Sequence, residues 1–224
     1  MVEAQHRIST NRLADGPEEQ TLLERLVEDV KPTMPPRARG LDYLLATPFR
    51  YWHARESRFR RAGERPGIFY ASEKCRTAVA ETAYWRLLFF SRSPGMALPA
   101  GTMEHSAFTI PIRVDRLLDL TAQPYSTAAS IWSHPTDYGP CQRFADAARA
   151  IGGQALRYWS ARDPVRGANI ALFDPAGFAA SAPRIRQSWH FRFDRGVLTA
   201  FAAFPSRDRF SFTFADFDLP EPAR

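Results

Sequence analysis

The sequence has few cysteines, and it lacks any long apolar run. Its 224 residues contain two cysteines, Cys75 and Cys141, which form neither a CxxC pair nor a cluster with histidine, so no metal site is predicted. No run of about 18 apolar residues occurs, so no membrane-spanning helix is expected. The first residues also lack the apolar core of a signal peptide. Because so few thiols are typical of a reducing compartment, we expect a cytoplasmic protein.

Several common catalytic motifs are missing as well. The sequence contains no P-loop, no GxGxxG, no GxSxG and no HExxH pattern. These absences argue against the commonest nucleotide-binding, esterase and metalloprotease sites. The histidines His53, His105, His134 and His190 are scattered along the chain without ligand spacing.

Arginine, in contrast, is abundant. Of 30 basic residues only Lys31 and Lys74 are lysines, so 28 are arginines, and the formal net charge is +6. Arginine is the better side chain for gripping phosphate or carboxylate, although genome composition also explains such a bias. With 45% apolar residues, the chain is expected to bury one core within one large domain.

One segment, 48–72, concentrates positive charge among aromatic residues. Interleaved arginines and aromatics suit a nucleic-acid strand or a single dinucleotide, and a solvated loop explains them equally well. The segment, called the Arg-rich segment below, carries the arginines Arg50, Arg55, Arg58, Arg60, Arg61 and Arg65 and the aromatics Phe49, Tyr51, Trp52 and Phe59.

The pattern of helices and strands predicts an α+β domain behind a short extension. A helix is expected over 17–30, where Pro17 suits the first turn, and the prolines after it make a stiff connector. We therefore divide the chain into an N-terminal helical extension, 1–40, and a main domain, 41–224. In the main domain helices are predicted at 73–90 and 140–151, strands at 67–72, 106–114, 154–159, 169–174 and 209–214, and a hairpin over 190–204.

Two further clusters could carry chemistry. Glu81 interrupts the apolar run TAVAETAYW, and it either faces solvent or points into a pocket, where its burial needs partners. Tyr70, on the strand before that helix, is by itself most simply a core residue. Ser160 and Arg162 follow a strand directly, a place that often lines a cleft, although a turn hydrogen bond from Ser160 explains this serine too.

Five short elements follow one another along the chain: Phe49-Arg50, Ser57-Arg58-Phe59, Ile68 to Ser72, Ala78 to Glu81, and Ser160-Ala161-Arg162. In this order they resemble the RES domain, a family named for an Arg, a Glu and a Ser. The likeness runs from about Tyr43 to Phe173. Two elements depart from the usual pattern: Ser57-Arg58-Phe59 replaces Gly-Arg-Trp, and Gly139 stands where some members have a site serine.

The resemblance implies a fold and an activity. RES proteins have an ADP-ribosyltransferase-like fold, with mixed sheets flanked by helices, and they consume NAD+ as the toxin half of bacterial toxin–antitoxin pairs. The reaction implied is cleavage of the nicotinamide–ribose bond by phosphate or water. One alternative is mono-ADP-ribosylation of a protein, and a non-enzymatic alternative is a basic nucleic-acid-binding domain.

The resemblance also implies residue roles and partners. The catalytic residues would be Glu81, Arg50 and Tyr70, and the NAD+-binding residues Arg58, Tyr51, Ser160 and Arg162. No resident cofactor is expected, because NAD+ is the substrate, with inorganic phosphate as a co-substrate in some members. The expected partner is a proteinaceous Xre-type antitoxin that blocks the site and alone contacts nucleic acid, in a complex that can hold several toxin copies. Arg60, Arg61 and Arg65 are expected in solvent or at the antitoxin.

Overall fold

The computed structural model describes residues 1–3, 15–51, 53–93, 95 and 101–222. Trp52 and most of the polar start predicted for 1–16 lie outside the described residues. The helices are α1 (Pro17–Asp29), α2 (Tyr43–Arg50), α3 (Cys75–Ser91), α4 (Ala129–Trp132) and α5 (Gly139–Ala150), with 3-10 turns at Pro36–Ala38, Tyr125–Ala128, Pro175–Gly177 and Ala215–Phe217. The strands are β1 (Val2–Glu3), β2 (Phe69–Ser72), β3 (Thr102–Thr109), β4 (Leu117–Asp119), β5 (Ala155–Trp159), β6 (Ala168–Leu172), β7 (Arg184–Asp194), β8 (Val197–Ala202) and β9 (Arg209–Thr213).

These strands form two sheets, which confirms the predicted α+β class. The five-stranded sheet has the order β1-β3-β7-β8-β9, and its pairs are antiparallel. The four-stranded sheet has the order β2-β6-β5-β4, with one parallel pair, β4 with β5. The β7–β8 hairpin turns at Arg195 and Gly196, both at positive φ, as the sequence predicts.

Helix α3 connects the two sheets and shapes the site. Its apolar face, which includes Val79, Ala83 and Leu87, packs against Trp189 and Phe191 of β7 in one hydrophobic core. Other residues of the same helix face the four-stranded sheet. Because both faces of α3 pack against a sheet, few positions on the helix are left for polar residues. Glu81 therefore has a defined environment.

Two further clusters hold the four-stranded sheet. Helix α5 covers one face through Cys141, Ala145 and Ala148, which pack in a cluster with Phe59 and Tyr158. Helix α2 contributes Leu45 and Phe49 to a separate cluster with Phe69 and Leu172. Every helix in the described part of the chain is too short or too polar to cross a lipid bilayer.

The structure corrects the bounds of one predicted strand and confirms the predicted N-terminal helix. The strand predicted at 106–114 is β3, which starts earlier, at Thr102, and ends at Thr109 ahead of Pro111, which has no N–H to donate. The N-cap residue of α3 is Lys74, and its side chain makes no capping bond. The predicted helix 17–30 is confirmed as α1, yet none of its residues is buried, and the domain boundary at residue 40 stays a prediction.

Candidate active site

A cavity of about 270 Å³ lies where α3 faces the four-stranded sheet. Helix α3 forms one wall, and strands β2, β5 and β6 form another. The Arg-rich segment and residues near the start of α5 complete the lining. The cavity is lined by Met1, Ser57, Arg58, Tyr70, Ala71, Ser72, Ala78, Glu81, Thr82, Trp85, Tyr138, Tyr158, Arg162 and Asn169.

Glu81 is a half-buried member of this lining rather than a residue of the solvated helix face. Its Oε1 accepts two hydrogen bonds, from Ser160 Oγ at 2.7 Å and from Asn169 Nδ2 at 2.7 Å. Among the described residues no donor bonds to Oε2. One carboxylate oxygen is therefore fixed by the protein and the other is left for a ligand in the cavity.

The Asn169 side chain is held so that its amide N–H can donate to Glu81. Its Oδ1 accepts from Ser72 Oγ at 2.6 Å, which leaves Nδ2 as the group that donates to Glu81. In the sheet, Asn169 lies opposite Ser72 on one side and opposite Tyr158 on the other. An amide that is only 2% exposed in a central strand needs such partners.

Ser160 makes the turn hydrogen bonds that the sequence allowed, and it also bonds to Glu81. It sits in the loop between β5 and β6, where its Oγ accepts from the backbone N–H groups of Arg162 at 3.1 Å and Asp163 at 3.0 Å. The Ser160 hydroxyl itself donates a hydrogen bond to Glu81 Oε1. Ser160 lies behind the carboxylate and outside the set of cavity-lining residues, a position that suits it to orient Glu81.

The same loop is anchored beneath α3 by a buried carboxylate. Asp163 accepts from Thr77 Oγ1 at 2.7 Å and from the N–H groups of Val165 and Gly167. A Cβ on Gly167 would lie 1.9 Å from Thr77 Oγ1, so only glycine permits this approach. The glycine and the aspartate together fix the loop that carries Ser160 and Arg162.

Two tyrosines present neutral hydroxyl groups near Glu81. Tyr70 Oη is buried, lies 2.9 Å from Ser57 Oγ and accepts from the Phe59 N–H at 3.2 Å, although the residue as a whole is 38% exposed. Burial raises the pKa of Tyr70, and it raises the pKa of Tyr158 further, with help from the nearby negative charge of Glu81. Both tyrosines are thus protonated at neutral pH and act as hydrogen-bonding groups, not as bases.

Arg58 is buried, at 9% exposure, yet lines the cavity. Its Nη1 donates to the carbonyl oxygens of Trp132 at 2.9 Å and His134 at 2.8 Å, and its Cζ lies 5.0 Å from the centre of the Tyr138 ring. These contacts neutralise no charge. A buried guanidinium whose partners are uncharged keeps its affinity for an anion.

Arg162 is the second buried arginine of the lining, at 6% exposure. Its Cζ lies 3.5 Å from the centre of the Tyr84 ring, and its Nη2 donates to the Pro135 carbonyl. The 3.5 Å distance places the guanidinium directly on the ring, a favourable cation–π contact. Arg58 and Arg162 therefore both bring positive charge into the cavity that holds Glu81.

Arg50 and Tyr51, which the sequence placed in the site, are not brought to this cavity. Helix α2 ends at Arg50, and its side chain turns back to the N-terminal extension. There Nη1 pairs with Glu28 Oε1 at 2.6 Å, and Nε donates to the Pro32 carbonyl at 2.7 Å. Tyr51 stays beside Arg50, with the Cζ of Arg50 5.8 Å from the ring centre. We leave both residues out of the catalytic set below.

Arg60 also departs from its expected place in solvent or at a partner. It is 4% exposed and donates to the carbonyl oxygens of His53, Arg55 and Arg61, which close the Arg-rich segment on itself. Arg61 is exposed and pairs with Asp146 of α5. The arginines of the Arg-rich segment thus have different surroundings, and among them only Arg58 lines the cavity.

Several lining residues escaped the sequence analysis. Asn169, Tyr138 and Tyr158 were not singled out, although Asn169 offered a usable signal: an amide that opens the apolar strand NIALF. Tyr138 and Tyr158 gave none, since a tyrosine in a strand or before a helix is most often part of a core.

The arrangement combines one oriented carboxylate, two guanidinium groups and neutral phenols. A carboxylate with one free oxygen can stabilise a developing cation or accept a hydroxyl proton, and the guanidiniums can bind a phosphate. No group of three or more His, Cys, Asp or Glu side chains that could hold a metal ion occurs among residues that the structure describes.

Comparison with known proteins agrees with this geometry. The RES domain family matches residues 34–194, which is more than half of the chain and includes each cavity-lining residue named above except Met1. A comparison with curated proteins finds no match. Glu81, Tyr70, Arg58 and Ser160, on which the resemblance rests, lie in or directly behind one cavity, and the chain belongs to the RES domain family.

Proposed function

We propose that the protein cleaves the nicotinamide–ribose bond of NAD+, by phosphorolysis or hydrolysis. The observation that carries the proposal is the Glu81 carboxylate, which Ser160 and Asn169 hold by one oxygen in a cavity with two buried arginines. Membership of the RES family supports an NAD-acting enzyme. We also propose that the two sheets form the ADP-ribosyltransferase-like fold implied by the sequence.

Glu81 would stabilise the reacting ribose. As the bond from ribose C1′ to the pyridinium nitrogen breaks, its electrons leave with nicotinamide, which becomes neutral. The ribose gains oxocarbenium character, and a negative charge close to it lowers the energy of that state. Oxygen of phosphate or water then bonds to C1′, and water loses a proton in the process.

Arg58 and Arg162 would supply the matching positive charge. A dinucleotide carries two phosphate groups, and attacking phosphate is anionic as well, so both guanidiniums have suitable ligands. In this scheme Arg58 binds the nicotinamide-side phosphate, and Arg162 orients the acceptor or the leaving ring. Tyr70 lines the same cavity and closes it against the substrate ring. No resident cofactor is needed, because NAD+ itself is consumed.

Two alternatives make different demands on the site. In a mono-ADP-ribosyltransferase the acceptor is a protein side chain, and the same carboxylate and arginines serve. In a nucleic-acid-binding domain a carboxylate beside the arginines weakens phosphate binding, and half of the arginines of the Arg-rich segment, Arg50, Arg60 and Arg61, are already engaged. The second alternative is therefore less well supported by the structure.

The decisive measurement is product identification by mass. Purified protein is incubated with NAD+, with and without inorganic phosphate, beside Glu81→Gln protein. Nicotinamide plus ADP-ribose indicates hydrolysis, and nicotinamide plus ADP-ribose 1″-phosphate, only with phosphate, indicates phosphorolysis. A mass increase on an added protein supports the transferase. Intact NAD+ in every sample contradicts the proposal, and salt-sensitive binding to nucleic acid would then favour the binding domain.

We further propose that the protein is a toxin that acts in the cytoplasm and is neutralised by a proteinaceous Xre-type antitoxin. Both cysteines are free thiols, a state that suits that compartment. Trp85 lines the cavity and is 53% exposed, and Phe89, one turn further along α3, is equally exposed. An antitoxin that covers these two rings would also obstruct the cavity, and an acidic one would be steered by the positive net charge.

Expression in bacteria tests this wider role. Unpaired expression should stop growth and deplete NAD+, whereas soluble Glu81→Gln protein at the same level should do neither. Co-expression of the neighbouring antitoxin gene should restore growth. Normal growth and unchanged NAD+ at high levels of soluble wild-type protein would contradict the toxin role, whatever the purified protein does.

A further inference from the structure

A second cavity of about 570 Å³ adjoins the candidate active site, and we call it the inter-sheet cavity. It lies between β2 of the four-stranded sheet and β3 and β7 of the five-stranded sheet, and it reaches the start of α3. It has five lining residues in common with the first cavity, so the two are neighbours across the β2 edge. These shared residues are Met1, Tyr70, Ala71, Ser72 and Ala78.

The first cavity alone is small for a dinucleotide. Pockets for drug-sized ligands are commonly about 300–1,000 Å³, whereas the first cavity has about 270 Å³. That space suits the nicotinamide riboside half of NAD+, the half that the proposed reaction changes. The other half therefore needs a second place, reached from the first.

We propose that the inter-sheet cavity binds the adenosine-diphosphate half of the dinucleotide, with Lys74 and Arg186 at the adenosine-side phosphate. The inference rests on the proposed function, since it assumes that NAD+ is the substrate of the Glu81 site. Arg58 lines only the first cavity and stays with the nicotinamide half.

The cavity has the positive charge that a phosphate needs. Lys74 and Arg186 line the cavity and are exposed, so a ligand can reach both side chains directly. Arg186 is oriented by its Nε, which donates to Thr109 Oγ1 at 2.9 Å.

The start of helix α3 strengthens the same anion site. Glu73, Lys74 and Cys75 line the cavity at the N-terminus of this 17-residue helix. No side chain caps that end, and its first turn contains no acidic residue. The exposed N–H groups of a long helix attract phosphate, and Lys74 adds a full charge at that end.

The floor of the cavity suits a purine. It includes the apolar side chains of Phe69, Phe108, Ile110, Ile170 and Trp189. Trp189 is 2% exposed, and its Nε1–H has no hydrogen-bond acceptor among the described residues. The Cys75 thiol interacts with that indole, but sulfur is a weak acceptor. A ring nitrogen or ribose oxygen of a ligand would complete this buried donor.

The cavity also has two carboxylates, which the proposal must accommodate. Glu73 is bound by Arg157 through two contacts, at 2.6 and 3.0 Å, so its charge is already neutralised. Asp208 is exposed and lines the same cavity. A carboxylate in a dinucleotide site commonly accepts the ribose hydroxyls, and Asp208 has that role here.

A third cavity, of about 390 Å³, is the competing place for the adenosine half. It includes Arg76, Arg209 and Phe210, but its only residue in common with the first cavity is Arg162. Arg162, whose guanidinium lies on the Tyr84 ring, lines both the first and the third cavity. The inter-sheet cavity, with five shared residues, is the more direct continuation.

The test compares NAD+ with nicotinamide mononucleotide, which lacks the adenosine half. We expect the ratio of kcat/KM for NAD+ over the mononucleotide to fall roughly tenfold or more in Lys74→Ala/Arg186→Ala protein, because two charged contacts to one half are lost. The loss should appear in KM for NAD+, not in kcat. Calorimetric binding of ADP to Glu81→Gln protein, which needs no turnover, should weaken by a similar factor on adding the two substitutions.

Arg209→Ala is the matched control, since it removes an equally exposed arginine from the third cavity. Its substrate ratio should equal that of the wild type. A fall in the Arg209→Ala ratio, with none in the double variant, would overturn the proposal and assign the adenosine half to the third cavity. An unchanged ratio in both variants would overturn it too. If the wild type cleaves neither substrate and does not bind ADP, both the proposed function and this site are wrong, whereas NAD+ cleavage with an unchanged ratio removes only this site.

Discussion

The cavity and the Arg-rich segment that runs past it are both highly charged, but they use charge differently. In the cavity, the charges of Arg58, Glu81 and Arg162 are held by neutral groups: carbonyls, a hydroxyl, an amide and rings. Along the segment, Arg50 and Arg61 pair with carboxylates. A charged side chain that is held in place by neutral groups remains available to a charged ligand. A charged side chain that is already paired with an opposite charge is not.

This difference assigns function more reliably than the number of arginines does. A buried charge without a counter-ion costs stability, so it needs another role: Arg60 bonds carbonyls that close the Arg-rich segment, whereas Arg58 also lines the cavity. Paired surface arginines carry no such cost and contribute little. The predictions below separate the two regions by activity measured at a matched folded fraction.

The largest effect is expected for Glu81→Gln. Both donors to Glu81 meet one oxygen, so the amide oxygen of glutamine can accept the same two bonds. The substitution therefore removes the charge and keeps the geometry. We expect kcat for NAD+ cleavage to fall about 10²–10³-fold, the typical cost of losing one well-placed electrostatic group.

Thermal melting is measured in parallel on the same protein. The melting temperature should stay close to that of the wild type, because burying a carboxylate is not a source of stability. Full activity in Glu81→Gln would contradict the mechanism. Lost activity with a collapsed melt would show Glu81 to be a structural anchor and would also contradict the role proposed here.

Arg58→Ala should have the next largest effect, and Arg60→Ala is its matched control. Both arginines are buried and donate to backbone carbonyls, but only Arg58 lines the cavity. We expect both variants to lose stability. Only Arg58→Ala should lower kcat/KM for NAD+ once corrected for the folded fraction, by about 10–100-fold, as for a lost charged contact.

If Arg58→Ala and Arg60→Ala lose equal activity after correction for the folded fraction, Arg58 and Arg60 do not differ in function. In that case Arg58 would be one more arginine that holds the segment together, and the anion-binding charge of the cavity would rest on Arg162. Urea unfolding gives the stability of each variant, and initial rates below the unfolding transition give the activity.

The sequence predicted the α+β class, most helices and strands, and five residues that the structure places in or behind the cavity: Arg58, Tyr70, Glu81, Ser160 and Arg162. Those successes depend on local patterns: the strand before Tyr70, the helix around Glu81 and the short Ser160-Ala161-Arg162 element. Asn169 was missed, because its importance comes from Ser72 and Glu81, which are distant in sequence and meet it only in the folded sheet.

Arg50 and Arg60 show the same limit from the other side. In the sequence both look like Arg58, since all three lie in the Arg-rich segment beside aromatic residues. Their directions depend on the end of α2, on Glu28 of α1 and on backbone carbonyls within the segment. Such contacts follow from chain geometry and leave no pattern in residue types.

A smaller effect is expected for Tyr70→Phe. The phenol accepts from the Phe59 N–H and contacts Ser57, so it helps to hold the Arg58 neighbourhood against β2. Removing the hydroxyl loses those bonds and keeps the ring that lines the cavity. We expect kcat/KM for NAD+ to fall about threefold to tenfold, the usual net cost of one or two neutral hydrogen bonds.

Ser57→Ala controls for that hydrogen bond, since it removes the other partner. A loss in Tyr70→Phe far above that of Ser57→Ala would mean that the Tyr70 hydroxyl contacts the substrate directly. Because burial raises the Tyr70 pKa, the wild-type rate should show no ionisation of this residue near neutral pH.

The smallest effects on catalysis are expected for Arg50→Ala and Arg61→Ala, which lie outside the cavity. Arg50 pairs with Glu28 and bonds the Pro32 carbonyl, so its loss should loosen helix α1, none of whose residues is buried. We expect faster protease cleavage between α1 and α2 and NAD+ cleavage within about twofold of the wild type. For Arg61→Ala, which breaks only the surface pair with Asp146, both readouts should be unchanged. A loss of activity in Arg50→Ala that matches Arg58→Ala, with an intact melt, would show that Arg50 reaches the substrate and that α1 must move for it to do so.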